Sequence, residues 1–252
     1  MRKILLLLLS TFVFSAFGIA GSKTPVTIFL MGDETMADNM NLDMTLQRGW
    51  GQVLPSYLAG NIVVQNFAKP GNSVKKILDN GSWTQLLVNV KRGDVVILQF
   101  GNNDRIKNDT NAFSSIENLE TKLMEIVDDV QKANANIILC TPIAQNVFYE
   151  GKACHRMGGY SEAVRRVAQR KEVVLVDAER LTETWLEEIG EEAARTFFTE
   201  DKIMLNEEGA LEVSKRIAED IQKKNLRWFG YVNISETTEV RYTNSVKEPT
   251  EN

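Results

Sequence analysis

Val26-Thr27-Ile28-Phe29-Leu30-Met31 has the length and the β-branched, apolar make-up of a buried strand, and it stops at Gly32-Asp33-Glu34-Thr35-Met36-Ala37. Four further runs of the same kind follow, at Ile62 to Gln65, Val95 to Phe100, Ile137 to Thr141 and Val173 to Val176. Between and after them, apolar residues recur at helical spacing over Ile116 to Ala133, Tyr160 to Arg170, Glu179 to Ile189 and Asn206 to Lys224. Apolar strands joined by helical crossovers pair in parallel and are covered by helices on both faces. The expectation is one α/β domain over residues 22–228, a three-layer α/β/α sandwich around a five-stranded parallel sheet. In such sheets ligands bind beyond the carboxyl ends of the strands, so chemistry is to be sought there.

Two segments read differently. Arg2 and Lys3 precede the apolar run Ile4 to Phe17, and Gly18-Ile19-Ala20 supplies small residues for cleavage, so residues 1–20 read as a secretory signal. A membrane anchor is the alternative, because the run is only slightly short of the roughly 20 apolar residues that span a bilayer. The expected location is export, periplasmic or extracellular, with no stable membrane anchor once the signal is removed. Residues 229–252 are polar without a clear apolar period and read as a C-terminal extension or tail.

With 43% apolar and 25% charged residues, the 252-residue chain can bury one sizeable core. Its formal charge of -5 is spread without long single-sign runs, which excludes a nucleic-acid groove or a polybasic membrane patch. One histidine and no Cys-x-x-Cys pair leave no metal site, and no cofactor is expected. Export would permit a Cys140–Cys154 disulfide, but Cys140 in its apolar run is equally natural as a buried thiol, and both readings stay open.

Each strand end carries polar residues of interest. After the first come Gly32-Asp33-Glu34-Thr35-Met36-Ala37 and, further on, Gly49-Trp50-Gly51; after the second, Asn66-Phe67-Ala68-Lys69-Pro70-Gly71-Asn72-Ser73. The third runs into Gln99-Phe100-Gly101-Asn102-Asn103-Asp104, and Asp201-Lys202-Ile203-Met204 precedes the last helix. Together, in this order, these blocks resemble those of the SGNH, or GDSL, hydrolases, and most closely the rhamnogalacturonan acetylesterases. The resemblance implies a flavodoxin-like sandwich and an ester hydrolase of acetylated carbohydrate. It also implies that the Gly71 N–H and the Asn103 side chain are the oxyanion donors, and that Asp201 is the aspartate of the triad. Glu34 stands at the position of the nucleophilic serine, Met204 at that of the histidine base, and Asn102 replaces the histidine usual beside Asn103.

Serine ester hydrolysis needs a hydroxyl nucleophile, a base to move its proton, and donors aimed at the oxyanion. Only the donors remain. A thioether is a weak acceptor that cannot shuttle a proton near neutral pH. The expectation is therefore a catalytically degenerate protein that keeps a cleft for an acetylated or pectic saccharide. Because Gly71 and Asn103 should point at a volume that the Glu34 side chain can enter, Glu34 is expected to occupy its own oxyanion hole. The alternative is an active esterase or carbohydrate hydrolase using Glu34 and Asp201 as paired carboxylates, with His155 as a further candidate. His155 reads more simply as a solvated loop residue, Ser73 as a helix N-cap, and Trp50 and Trp83 as core residues. Phe148 and Tyr149, in a long loop, are open between core and carbohydrate stacking.

Overall fold

The computed structural model describes residues 26–39, 47–59, 62–154, 156–226 and 240–243. Its centre is a parallel sheet of β1 (Thr27–Gly32), β2 (Val63–Asn66), β3 (Val95–Gln99), β4 (Asn136–Cys140) and β7 (Val174–Val176), in the order β2-β1-β3-β4-β7. A separate antiparallel hairpin joins β5 (Phe148–Tyr149) to β6 (Lys152–Ala153). The helices are α1 (Trp50–Val53), α2 (Val74–Asp79), α3 (Ser82–Leu87), α4 (Ile116–Lys132), α5 (Gly159–Arg170), α6 (Ala178–Ala194) and α7 (Glu207–Lys223). All five expected strands and all four expected long helices are present. The shorter α1, α2 and α3 span too few turns for an apolar period to declare itself. α6 runs past its expected end at Ile189, but Gly190 breaks it with φ 78 and ψ 163.

Alternation along the strands creates the three layers. Ile28 and Leu30 of β1 face one side with Ile97, Ile138 and Val176, and pack there with Trp50, Trp185, Val213 and Ile217 of α1, α6 and α7. Phe29 and Met31 face the other side with Val96, Leu98 and Leu139, against Ile77, Trp83, Leu123, Ile126 and Val167 of α2 to α5. This is the period of two expected of a strand buried on both faces. Trp50 and Trp83 are core residues, whereas Tyr149 is 70% exposed on its hairpin. Cys140 and Cys154 are separate thiols, and burial pushes the Cys140 thiol strongly up, further raised by Asp220.

Register decides where the site falls. Leu30 pairs with Asn66 and Gly32 with Gln99, so the loops after β1, β2 and β3 leave the sheet side by side. The helices that follow are capped by side chains: Ser73 accepts from Lys76 N, Ser115 from Asn118 N and Asn206 from Gly209 N. Residues 240–243 lie against the same end of the molecule. There Thr243 N donates to Gln52 O (2.9 Å) and Thr243 Oγ1 to Asp38 Oδ1 (2.6 Å). The segment expected to be a signal and most of residues 229–252 lie outside the described residues, as does His155.

Gly49 lets α1 press directly on the loop after β1. A Cβ there would stand 2.2 Å from Ala37 O and 2.5 Å from Met36 C, both backbone atoms that cannot swing aside. Gly49→Ala should therefore destabilise the fold by about 2 kcal/mol or more, read as a lowered urea midpoint with unchanged slope.

Candidate functional site

The loop after β1 is a tight, internally bonded turn. Met36 N and Ala37 N donate to Asp33 O at 3.2 and 3.1 Å, and Trp50 N donates to Thr35 O at 2.9 Å. Beneath it, Trp50 Nε1 donates to Gln99 Oε1 (2.8 Å), Gln99 Nε2 to Thr35 Oγ1 (2.6 Å), and Thr35 Oγ1 to Asp33 Oδ1 (2.6 Å). Glu34 is the half-buried member of this turn, between the buried Asp33 and Thr35.

Its carboxylate takes three N–H donors from two other strand ends. Gly71 N donates to Oε2 at 3.1 Å and Asn103 Nδ2 to the same oxygen at 2.8 Å, while Asn102 Nδ2 donates to Oε1 at 2.6 Å. Gly71 holds φ 73, a left-handed conformation that a side chain would strain, and this turns its N–H toward Glu34. Asn103 is steadied by a second bond from Nδ2 to Asn72 O at 2.9 Å, and Asn72 Nδ2 donates to Gly32 O at 3.2 Å. Asp104 ties the loops together by accepting from Val74 N (2.9 Å) and Gly101 N (3.0 Å).

The other residues singled out from the sequence are placed differently. Asp201 Oδ1 accepts from Thr199 Oγ1, Ile203 N and Met204 N at 2.9, 2.8 and 2.8 Å, so it organises its own turn. Burial pushes the Asp201 carboxyl up, but these donors, led by Met204 N, hold it below the usual carboxylate range. Met204 O accepts from Thr199 N at 2.9 Å, and Leu205 is fully buried and bridged to Arg48 and Phe198. Among the described residues no hydrogen bond or ion pair joins Glu34 to Asp201 or Met204, and no three His, Cys, Asp or Glu side chains gather as metal ligands. Ser73 is fully buried and caps α2, so its hydroxyl is not available to a ligand.

Three features escaped sequence reasoning. Asn102 stood out only as a replacement beside Asn103, yet it makes the shortest bond to Glu34. Asn72 gave no signal of its positioning role. A narrow crevice lined by Thr35, Asn102, Ile143, Gln145, Met157 and Ile203 draws on segments more than 160 residues apart, which no local motif could announce.

The electrostatics are set first by burial and, at Asp33, second by a neighbouring charge. Burial, then the charge of Glu34, push Asp33 up to about 8 against the hydrogen bonds from Thr35, and burial pushes Asp104 up to about 7. A carboxyl raised in the folded state favours folding while protonated. Its contribution is complete below the ordinary value of 3.8 and is lost as pH rises through about 8 for Asp33. Asp33→Asn, which mimics the protonated acid, should gain melting temperature over the wild type progressively from pH 5 to pH 9. Parallel pH profiles for the two proteins would show that Asp33 does not titrate in that window.

Glu34→Ala should lose about 1.5–3 kcal/mol in urea unfolding, the range for hydrogen bonds to a charged group. It should also leave the three donors free for an added anion. Sodium acetate should then raise the melting temperature of Glu34→Ala and leave that of the wild type unchanged; equal responses would mean that the donors are not a shared anion site.

Comparison with known proteins places this chain in a family. The rhamnogalacturonan acetylesterase RhgT of Bacillus subtilis is 27% identical over 219 residues, covering 81% of this chain and 93% of that protein. The probable rhamnogalacturonan acetylesterase YesY of the same organism is 28% identical over 205 residues, covering 79% and 94%. The crystal structure of YxiM from Bacillus subtilis superposes with a TM-score of 0.76 at 24% identity, over 82% of this chain but only 58% of that one. The acetylxylan esterase Axe2 from Geobacillus stearothermophilus superposes with a TM-score of 0.61 at 16% identity, over 82% of this chain and 98% of that one. At such identities the two structures show the common fold. The family model matches residues 30–210, and the chain belongs to the GDSL-like lipase/acylhydrolase family.

Proposed function

We propose that this chain is an exported, saccharide-binding member of its family that has given up serine ester hydrolysis. The observation that carries the reading is the Glu34 carboxylate on Gly71 N and Asn103 Nδ2, the donors that the family resemblance assigns to the oxyanion. A carboxylate there fills the volume in which a tetrahedral intermediate would build its negative charge, and it brings like charge to that position. Glu34 stands where the family has its serine, the Thr35 hydroxyl beside it is buried and donates to Asp33 Oδ1, and Met204 offers no nitrogen to carry a proton. Export is supported by the charged start, apolar run and small-residue exit of residues 1–20.

The ligand class follows from the relatives, two of which are named for rhamnogalacturonan and one for acetylxylan. An O-acetylated pectic polysaccharide or a related one is the ligand proposed. Hydrolysis by Glu34 and Asp201 as a carboxylate pair has less support, because Asp201 Oδ1 already serves three donors within its own turn.

The purified protein should hydrolyse a chromogenic acetyl ester no faster than Glu34→Ala, since loss of the nucleophile or base of a serine triad costs about a millionfold in turnover. Turnover in the wild type that disappears on Glu34→Ala would overturn the reading. The repair experiment is more stringent. Glu34→Ser alone should stay nearly inactive, and Glu34→Ser with Met204→His should hydrolyse the ester far faster than either single variant, because nucleophile and base act as a unit.

A further inference from the structure

Val240, Arg241, Tyr242 and Thr243 belong to no helix or strand, so they stay in place only where their contacts outweigh the conformational entropy lost in ordering them. Those contacts are specific. Ser56 Oγ, on a fully buried side chain, accepts from Arg241 N at 2.8 Å and donates to Arg241 O at 3.1 Å, and the Arg241 guanidinium donates to Leu58 O. Two residues on, Thr243 N donates to Gln52 O at 2.9 Å and Thr243 Oγ1 to Asp38 Oδ1 at 2.6 Å. Val240 packs on the core face that holds Trp50 and Leu54, and the Tyr242 hydroxyl donates to the Glu207 carboxylate at the start of α7.

Asp38 is where this segment meets the site. Its Oδ1 also accepts from Asn66 Nδ2 at 2.7 Å, and the same Nδ2 donates to Met36 O at 2.9 Å. Met36 belongs to the turn that carries Glu34, closed by Met36 N on Asp33 O. A continuous chain of bonds therefore runs from Thr243 through Asp38 and Asn66 into the Glu34 turn. Loss of the Thr243 hydroxyl would take a charge-assisted bond from a half-buried carboxylate and loosen the middle of that chain. The other arm, Tyr242 on Glu207, reaches the helix start that follows the Asp201–Met204 block, where Arg48 also pairs with Glu207 at 3.6 Å. Residues 240–243 thus tie the loop after β1, α1 and the start of α7 to one another.

We propose that residues 240–243 are an intramolecular latch that sets the Glu34 turn, so that its carboxylate stays on Gly71 N, Asn102 Nδ2 and Asn103 Nδ2. The latch is a positioning device and acts on Glu34 through Asp38, Asn66 and Met36. Undocking it lets the turn shift, and the three donors become open to another anion. This goes beyond the saccharide reading and holds whether or not a sugar binds.

The test uses the full chain. Thr243→Val keeps shape and loses the hydroxyl, Thr243→Ser keeps the hydroxyl, and Ser56→Ala frees the other end of the latch without touching Asp38. Sodium acetate is titrated into each folded protein while the Gly71 N–H and the Asn102 and Asn103 side-chain amides are followed by NMR. Thr243→Val and Ser56→Ala should bind acetate at these signals about fivefold or more tightly than the wild type, and Thr243→Ser should match the wild type. Variants that lose stability with no gain in acetate binding would make the segment a stabilising contact only and overturn the latch. A second measurement, amide hydrogen exchange of the wild type, does not depend on any variant folding. If undocking releases Glu34, the Thr243 and Gly71 N–H groups open together and their protection agrees within about threefold; a larger difference in either direction overturns the latch.

Discussion

Two carboxyl groups, Asp33 and Asp104, are fully buried at the carboxyl end of a parallel sheet with Glu34 half-buried beside Asp33, and the architecture of the site is the way this burial is resolved. Water is scarce there, since Asp33 and Asp104 are both fully buried. A buried charge without compensation is expensive, so each carboxyl must be neutral, bonded or turned outward. Asp33 is held toward its neutral form by burial and by Glu34; Asp104 accepts two backbone N–H groups and still lies near neutral pH. Glu34, the most accessible of the three, receives the side-chain donors.

That division of labour also organises the loops. Asp104 binds the start of α2 to the turn after β3, Asn72 binds the loop after β2 to the end of β1, and Asn103 spans from Asn72 to Glu34. Each bond joins segments that belong to different strands, so the geometry of the donors is a property of the sheet register and not of any one loop. The pressed contact of Gly49 on Met36 and Ala37 holds the remaining side. Preorganised donors of this kind are what an acyl-transfer site requires, and they serve a resident carboxylate equally well because both present a localised negative oxygen.

A scaffold that keeps its donors while the reacting groups differ separates two roles that a hydrolase combines. In an esterase such donors stabilise the developing anion; here a side chain of the protein takes them. Gln145, buried with its Nε2 unpaired, is carried to the crevice wall beside Ile143 and Met157 by the segment after β4.

The layered fold was legible in the sequence because its signal is local: runs such as Val95 to Phe100 and the periodic helix Ile116 to Ala133 declare their burial by spacing alone. The blocks around Glu34, Gly71, Asn103 and Asp201 were legible as family motifs for the same reason, each being a short turn at a strand end. What only tertiary structure decided was which of them meet. Sheet register brings Gly71, Asn102 and Asn103 onto one carboxylate, while Asp201 spends its oxygen on its own turn, a choice that sequence spacing cannot express. The crevice was invisible for a related reason: a concave surface assembled from Thr35, Gln145 and Ile203 exists only after long-range packing has paired segments whose separation along the chain carries no period and no motif.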